Sequence, residues 1–215
     1  KFSKKVLVVE KSERVGGVSV HTGTIPSKTL RETALNLSGW HEREFYGQSY
    51  RVKQNITAAD LKNRLHMTLD HEVEVLKHQF ARNAVETLNG KARFVSPKTI
   101  EVEFDDGEVE QFSCEKFIIA VGTQPYRPEE IPFDGARIFD SDEILQIKRL
   151  PRSLAVIGGG VIGVEYATIF SALDIPITLI ETRDTILDFV DKEIIAELMH
   201  ELRERGVAMR LGCKI

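Results

Sequence analysis

The segment LAVIGGGVIG, Leu154 to Gly163, leaves few options for the fold around it. Leu154–Ile157 reads as a strand, three glycines follow, and an apolar helix runs on to about Leu173. A second apolar strand, Ile177–Ile180, ends in an acid, Glu181, 23 positions after Gly158. Strand, glycine turn, helix and acid-terminated strand together make a compact βαβ unit. Each glycine has its own task there. Gly158 permits the tight turn, Gly160 lets the backbone approach a pyrophosphate, and Gly163 lets helix and strand pack closely. The helix start at Val161 and Ile162 then offers free N–H groups and a positive dipole end to phosphates. A GxGxxG alone also marks ordinary turns; this context is the one a dinucleotide fingerprint requires.

Glu181 is placed to accept hydrogen bonds from an adenosine ribose, which favours NAD, because a carboxylate repels a 2′-phosphate. Arg183, two residues on, is placed to pair with that phosphate. The pair together points to a site that tolerates either nicotinamide cofactor.

The first half repeats part of this pattern. KKVLVVEK, Lys4 to Lys11, reads as a buried parallel strand ending in Glu10. GGVSVHTGTIPSKTLRE follows as a glycine-rich loop, with a helix from Ser27 to about Leu37 just after Pro26. A glycine fingerprint for this unit belongs about 25–30 residues upstream, by the size of a βαβ unit. The expectation is therefore a fragment of a longer protein, cut at both ends. Residues 38–56 read as a connection, and Trp40, Phe45 and Tyr46 in it as a packing cluster. Thr57–Leu88 reads as one long amphipathic helix with Leu61, Leu65, Leu69 and Val73 on one face. Residues 91–122 alternate around DDG as an antiparallel hairpin or meander, closing in an apolar strand, Phe117–Val121. TQPYRPEEIP is too proline-rich for a regular element. Asp191–Glu204 reads as a helix, and GVAMRLGCKI begins a further strand.

Composition excludes some partners. A net charge of -4 argues against nucleic acid or an anionic membrane surface, and no apolar run approaches the ~18 residues of a span. Cys114 and Cys213 are 99 positions apart and read as isolated thiols of a reducing, cytoplasmic compartment. His66, His71 and His78 do not share one ligating helical face, so no metal site is expected. His21 reads as a loop histidine.

Three segments, VVEKSERVGGVSVHTGTIPSKTLRE, FIIAVGTQPYRP and AVIGGGVIGVEYATIF, carry a resemblance in their order and spacing. The chain resembles the pyridine nucleotide-disulfide oxidoreductases, flavoproteins with two dinucleotide-binding domains. The resemblance covers essentially the whole chain. It implies an α/β fold of two Rossmann-like dinucleotide-binding domains, both incomplete here. Residues 1–148 would form an FAD-binding domain lacking its first β-α with the glycine fingerprint, and 149–215 the N-terminal part of an NAD(P)-binding domain.

The family's redox motif has the form GGxCxxxxCIPSK, and this chain has Ser19 and Thr24 at the two cysteine positions. Neither forms a disulfide. The loop is similar to the branch of the family that dispenses with the disulfide and exchanges hydride between NADPH and NAD⁺ through flavin N5, by ping-pong kinetics. The resemblance further implies roles for single residues. Glu10 binds the FAD ribose, and Gly16, Gly17 and the loop from Ser19 to Thr24 pass along the flavin. Ala92, Gly122 and Thr123 make further flavin contacts. Lys28 sits at the reactive edge of the ring as a positive charge, and Glu165 pairs with it. The resemblance also implies a homodimer in the full-length parent, built by a C-terminal domain. A flavin-dependent NAD(P)H oxidase or diaphorase, and a non-catalytic dinucleotide-binding module, are the alternative functions.

These 215 residues alone are expected to bind FAD poorly and not to turn over. A visible absorbance scan checks this; a yellow, active preparation of the 215-residue chain overturns it.

Overall fold

The computed structural model describes residues 4–214. In chain order it contains β1 (Val6–Glu10), α1 (Gly17–His21), α2 (Thr24–Ser38), α3 (Arg43–Tyr46), α4 (Ala58–Arg82), β2 (Val85–Asn89), β3 (Lys91–Ser96) and β4 (Thr99–Glu103). It continues with β5 (Val109–Ser113), β6 (Leu154–Ile157), α5 (Val161–Ser171), β7 (Ile177–Ile180), α6 (Lys192–Glu204) and β8 (Val207–Arg210). Two compact units form. The first takes the residues up to Gly23 and then Met67–Gln124; the second takes Thr24–His66 and the residues from Pro125 onward.

In the first unit β1 pairs with β2 in parallel, Val6 opposite Val85 and Glu10 opposite Asn89. The parallel pairing agrees with the sequence expectation, but burial does not. With one ladder partner the strand stays half-buried, and Val6 is 46% exposed. The element β2 was read from the sequence as the end of the long helix. The helix instead stops at Arg82. The Asn83 side chain donates to the Gln79 carbonyl, and Ala84 turns left-handed at φ 52. A left-handed helix end is normally signalled by glycine, so this one was hidden. Strands β3, β4 and β5 form the expected antiparallel meander, with Gly107 of DDG at φ 85 in the second turn.

The apolar run Phe117–Val121 is not a strand. It has no regular structure, and Ile118, Ile119 and Val121 are 93%, 71% and 81% exposed. A strand exists only with a ladder partner, and among the described residues none lies beside this run. Phe117 instead sets its ring edge against Phe94, with centroids 4.9 Å apart.

The second unit holds the parallel sheet in the order β6-β7-β8, with Leu154, Ile177 and Val207 in register. Buried Leu179, Ile186, Ile169 and Phe170 make its core with the inner faces of α2 and α5. Helix α2 begins at Thr24, three residues earlier than expected, and Pro26 lies inside its first turn. A proline there costs nothing, since the first N–H groups of a helix have no partner within it. Asp191 caps α6 through the Glu193 and Ile194 N–H groups. Within the described residues no helix is long and apolar enough to cross a membrane.

One buried cation ties this unit together. Arg43 is 4% exposed. Its Nη1 and Nη2 donate to the two oxygens of Asp174 at 2.8 and 3.0 Å, and Nη2 also donates to the Ser38 carbonyl. Trp40 lies between two guanidinium groups, Arg43 and Arg205, each 4.9 Å from its ring centre. The expected aromatic cluster is thus a cation–π stack on Trp40, while Phe45 and Tyr46 are exposed.

Asp174 joins α5 to β7 at φ 61, a conformation asparagine also accepts. Asp174→Asn keeps the turn and removes the charge opposite Arg43. A loss of about 2 kcal/mol is expected, less than for a fully buried pair because the aspartate is partly exposed. A lower urea midpoint at unchanged m-value checks it.

Candidate functional site

Strand β6 ends at Ile157 and the chain turns at once. Gly158 stands at φ 111, and its N–H donates to the Ile180 carbonyl at 2.8 Å. Only glycine adopts that conformation without strain. Gly160 is the N-cap of α5 and has no side chain to close the helix end. A Cβ placed on it meets no atom within 4 Å. A Cβ on Gly163 would lie 1.9 Å from the Gly158 carbonyl oxygen, so nothing larger than glycine fits there. Two of the three tasks read from the sequence are steric, and the geometry bears those two out at Gly158 and Gly163. The turn at Gly158, open space at Gly160 and close contact at Gly163 leave an uncapped helix start with Val161 and Ile162 exposed. That arrangement fits a pyrophosphate.

Glu181 is buried at the end of β7. Its Oε2 accepts from the Gly159 N–H at 2.6 Å and from Arg183 Nη2 at 2.9 Å. Its Oε1 accepts from the Arg183 backbone N–H at 3.0 Å, from Arg183 Nε at 3.1 Å and from the Thr182 hydroxyl at 3.0 Å. The Arg183 side chain first, and then the Arg183 and Gly159 N–H groups, hold this carboxyl far below the usual range against the cost of burial. Arg183 in turn is held more firmly protonated by Glu181 and then by Asp188, whose Oδ1 accepts from Nη1 at 2.6 Å. Sequence reasoning missed three of these partners, Gly159, Thr182 and Asp188. Gly159 was read only as part of the glycine run. A Cβ on it would lie 3.0 Å from Glu181 Oε2 and 2.8 Å from Ile186 Cγ2. Asp188 was not singled out, although an acid five residues after Arg183 was a visible signal.

Lys28 lies on α2 and Glu165 on α5, two helices that pack on each other. Lys28 is exposed and Glu165 half-buried, and no ion pair joins them among the described residues. The outward lysine explains this: it points to solvent, and α2 meets α5 through buried neighbours such as Leu30 and Ala34. Glu165 borders a cavity of about 380 Å³ together with Arg31, Val161, Thr168, Leu187 and Phe189.

The remaining flavin candidates divide by unit. In the first, Glu10 ends β1 and accepts from the Ser12 N–H at 2.9 Å. Gly16 and Gly17 stand at φ 123 and 56, and a Cβ on Gly17 meets nothing within 4 Å. The expected loop is helical here: Ser19 lies on α1, exposed. A Cβ on Gly122, at φ 71, would lie 3.2 Å from Val18 Cγ2, which brings the AVGT segment against α1. Thr123 and Ala92 are exposed, Ala92 on β3 opposite Val102. An acid at a strand end and, near it, the open left-handed Gly17 fit a second nucleotide, while Gly16 is closed in by Val20. His21 turns its Nε2 to the Val15 carbonyl at 3.0 Å, as a loop histidine does. In the second unit Thr24 opens α2, exposed.

Comparison with known proteins gives a consistent picture. The family described as pyridine nucleotide-disulphide oxidoreductase matches residues 1–215. A soluble pyridine nucleotide transhydrogenase of Mycobacterium bovis is 48% identical over 214 residues, 99% of this chain and 46% of that protein. Proteins of the same name from Colwellia psychrerythraea and Escherichia coli are 39% and 38% identical, over 100% and 98% of this chain and 46% and 45% of theirs. The chain spans about half the length of these curated relatives. In fold it is similar to LpdA from Mycobacterium tuberculosis, with a TM-score of 0.87 at 21% identity over 98% of this chain and 46% of that one. The HOCl-induced flavoprotein disulfide reductase RclA from Escherichia coli follows at 0.80 and 23%, over 99% and 44%.

Gly163→Ala drives a methyl group into the Gly158 carbonyl. A loss of about 3 kcal/mol is expected, at the upper end for overpacking because the obstacle is backbone. Denaturant unfolding checks it, and nicotinamide nucleotide binding is expected to fall with it.

Proposed function

This chain belongs to the pyridine nucleotide-disulphide oxidoreductase family, and from that premise we propose that it carries the nucleotide sites of an enzyme exchanging hydride between NADPH and NAD⁺. One observation carries the proposal: Ser19 and Thr24 stand where the redox cysteines of the family stand. Cys114 and Cys213 are free thiols elsewhere. With no disulfide to reduce, a hydride delivered to the protein has no sulfur acceptor. It leaves on a second nicotinamide. The names borne by the relatives at 38–48% identity support the same activity.

FAD, when bound, supplies the hydride acceptor and donor between the two nicotinamides. The residues here supply binding, orientation and charge. Glu10 holds the FAD ribose, Gly16, Gly17 and Ser19 to Thr24 follow the flavin, and Ala92, Gly122 and Thr123 complete its contacts. Lys28 on α2 is the positive charge assigned to the reacting edge; Glu165 on α5 makes no ion pair with it among the described residues and would have to meet it when the flavin is bound. The uncapped start of α5 takes the nicotinamide pyrophosphate, and Glu181 and Arg183 take its adenosine ribose. Both nicotinamides use this one site in turn, so the kinetics are ping-pong. Excluding water and aligning the nicotinamide is the protein's share of the rate.

By ligand, residues 1–148 serve FAD and 149–215 serve NAD(P), a division by bound nucleotide that need not follow the compact units. A cytoplasmic location and a homodimer of the full-length parent belong to the same proposal.

The test is anaerobic transfer from NADPH to thionicotinamide-NAD⁺ by an FAD-loaded protein that carries this chain at the full length of its relatives. Reduction of the analogue with parallel double-reciprocal lines is expected. Oxygen consumption in place of analogue reduction indicates an oxidase, intersecting lines reject the shared site, and no turnover leaves a binding module.

A further inference from the structure

Glu181 has no room for a ribose as it stands. A carboxylate offers about four lone-pair sites, and five donor groups already converge on this one. Two of them, the Gly159 and Arg183 N–H groups, are backbone held by the turn. A third is the hydroxyl of the adjacent Thr182. The donors free to leave are Nε and Nη2 of the Arg183 side chain, which is 44% exposed. For a ribose diol to reach Glu181, that guanidinium must withdraw.

Asp188 marks where it goes. Its carboxylate already holds Nη1 at 2.6 Å and is itself 46% exposed. Arg183 thus spans two carboxylates, one buried and one open. A guanidinium has five N–H donors; three are engaged here, and when Nε and Nη2 leave Glu181 the Nη1 bond still keeps it attached to Asp188. A 2′-phosphate next to the ribose competes with Asp188 for the same donors, since Arg binds carboxylate and phosphate through the same fork.

We propose that Asp188 is a positioning residue that sets the choice between NAD(H) and NADP(H), by drawing Arg183 off Glu181 and by competing with a 2′-phosphate for its guanidinium. The proposal rests on the reading of Glu181 and Arg183 as the adenosine-ribose site. For the unphosphorylated ribose, Asp188 clears Glu181 and helps binding. For the phosphorylated ribose, Asp188 withholds the cation, and so hinders binding. One side chain therefore acts with opposite sign on two ligands, which a merely structural role does not do.

The experiment is calorimetric titration of the FAD-loaded protein with ADP and with adenosine 2′,5′-bisphosphate at fixed ionic strength, because exposed ion pairs are screened by salt. In D188N the bisphosphate is expected to bind about tenfold tighter, because no second carboxylate then competes with the phosphate for the Arg183 guanidinium. ADP is expected to bind more weakly, by roughly threefold, as Arg183 falls back on the carboxylate it otherwise vacates. D188E restores the wild-type ratio. In an R183A background D188N is expected to leave the ratio of the two affinities unchanged. A D188N variant that shifts both ligands in the same direction, or neither, overturns the proposal. So does an equal gain for the bisphosphate with and without Arg183, since the carboxylate then acts on the phosphate directly. If the wild type binds neither ligand, the adenosine-ribose reading of Glu181 falls as well.

Discussion

The hydrogen bond from the Gly159 N–H to Glu181 Oε2, 2.6 Å long, joins the glycine turn after β6 to the end of β7. It sets the corner where Glu181, Arg183 and the start of α5 come together. It holds the turn against the sheet, and a methyl on Gly159 would press on both Glu181 and Ile186. The Gly158 N–H bonded to the Ile180 carbonyl makes a second tie between the same two strands. With the turn fixed, α5 can start against its own entry strand, and Gly163 makes that close approach sterically possible. The uncapped start of the helix is thus held by the chain's own packing, where the proposed pyrophosphate would lie.

Electrostatics at this corner follow from the same bond. Glu181 loses most of its contact with water, and such a charge is tolerated only when donors surround it. Backbone N–H groups supply part of that and Arg183 the rest. The arginine is partly exposed and shared with Asp188, so the site combines a rigid half with an adjustable half. Away from this corner, Arg43 and Asp174 anchor the start of α3 to the turn between α5 and β7. That bond spans 131 positions of sequence, so the packing of α2 on α5 depends on a contact no local pattern announces.

Legibility followed the range of the forces. The βαβ unit from Leu154 to Ile180 was readable because its strand lengths, glycine spacing and helix periodicity are local steric facts. The strand Ile177–Ile180, the turn at Gly158 and the close contact at Gly163 appear as read. The errors fell where pairing or burial decided. Ala84 ended the long helix without a glycine, because parallel pairing with β1 made a strand of Val85–Asn89. Phe117–Val121 has the composition of a buried strand yet lies exposed, since apolar composition forms no ladder on its own. The segment around Ser19 looked like a glycine loop and forms α1, because Gly16 and Gly17 in left-handed conformations start a helical turn.

The sequence alone determined the fold class, the dinucleotide turn, the acid that closes it and the absence of a redox thiol at positions 19 and 24. Those are properties of residue type and spacing, and no packing arrangement changes them. The tertiary structure decided which groups share a charge. It set Arg183 between Glu181 and Asp188, left Lys28 in solvent apart from Glu165, and buried Arg43 on Asp174. Ion pairs of this kind depend on side-chain direction and on how much water the surrounding fold excludes, and neither is written in a one-dimensional order of residues.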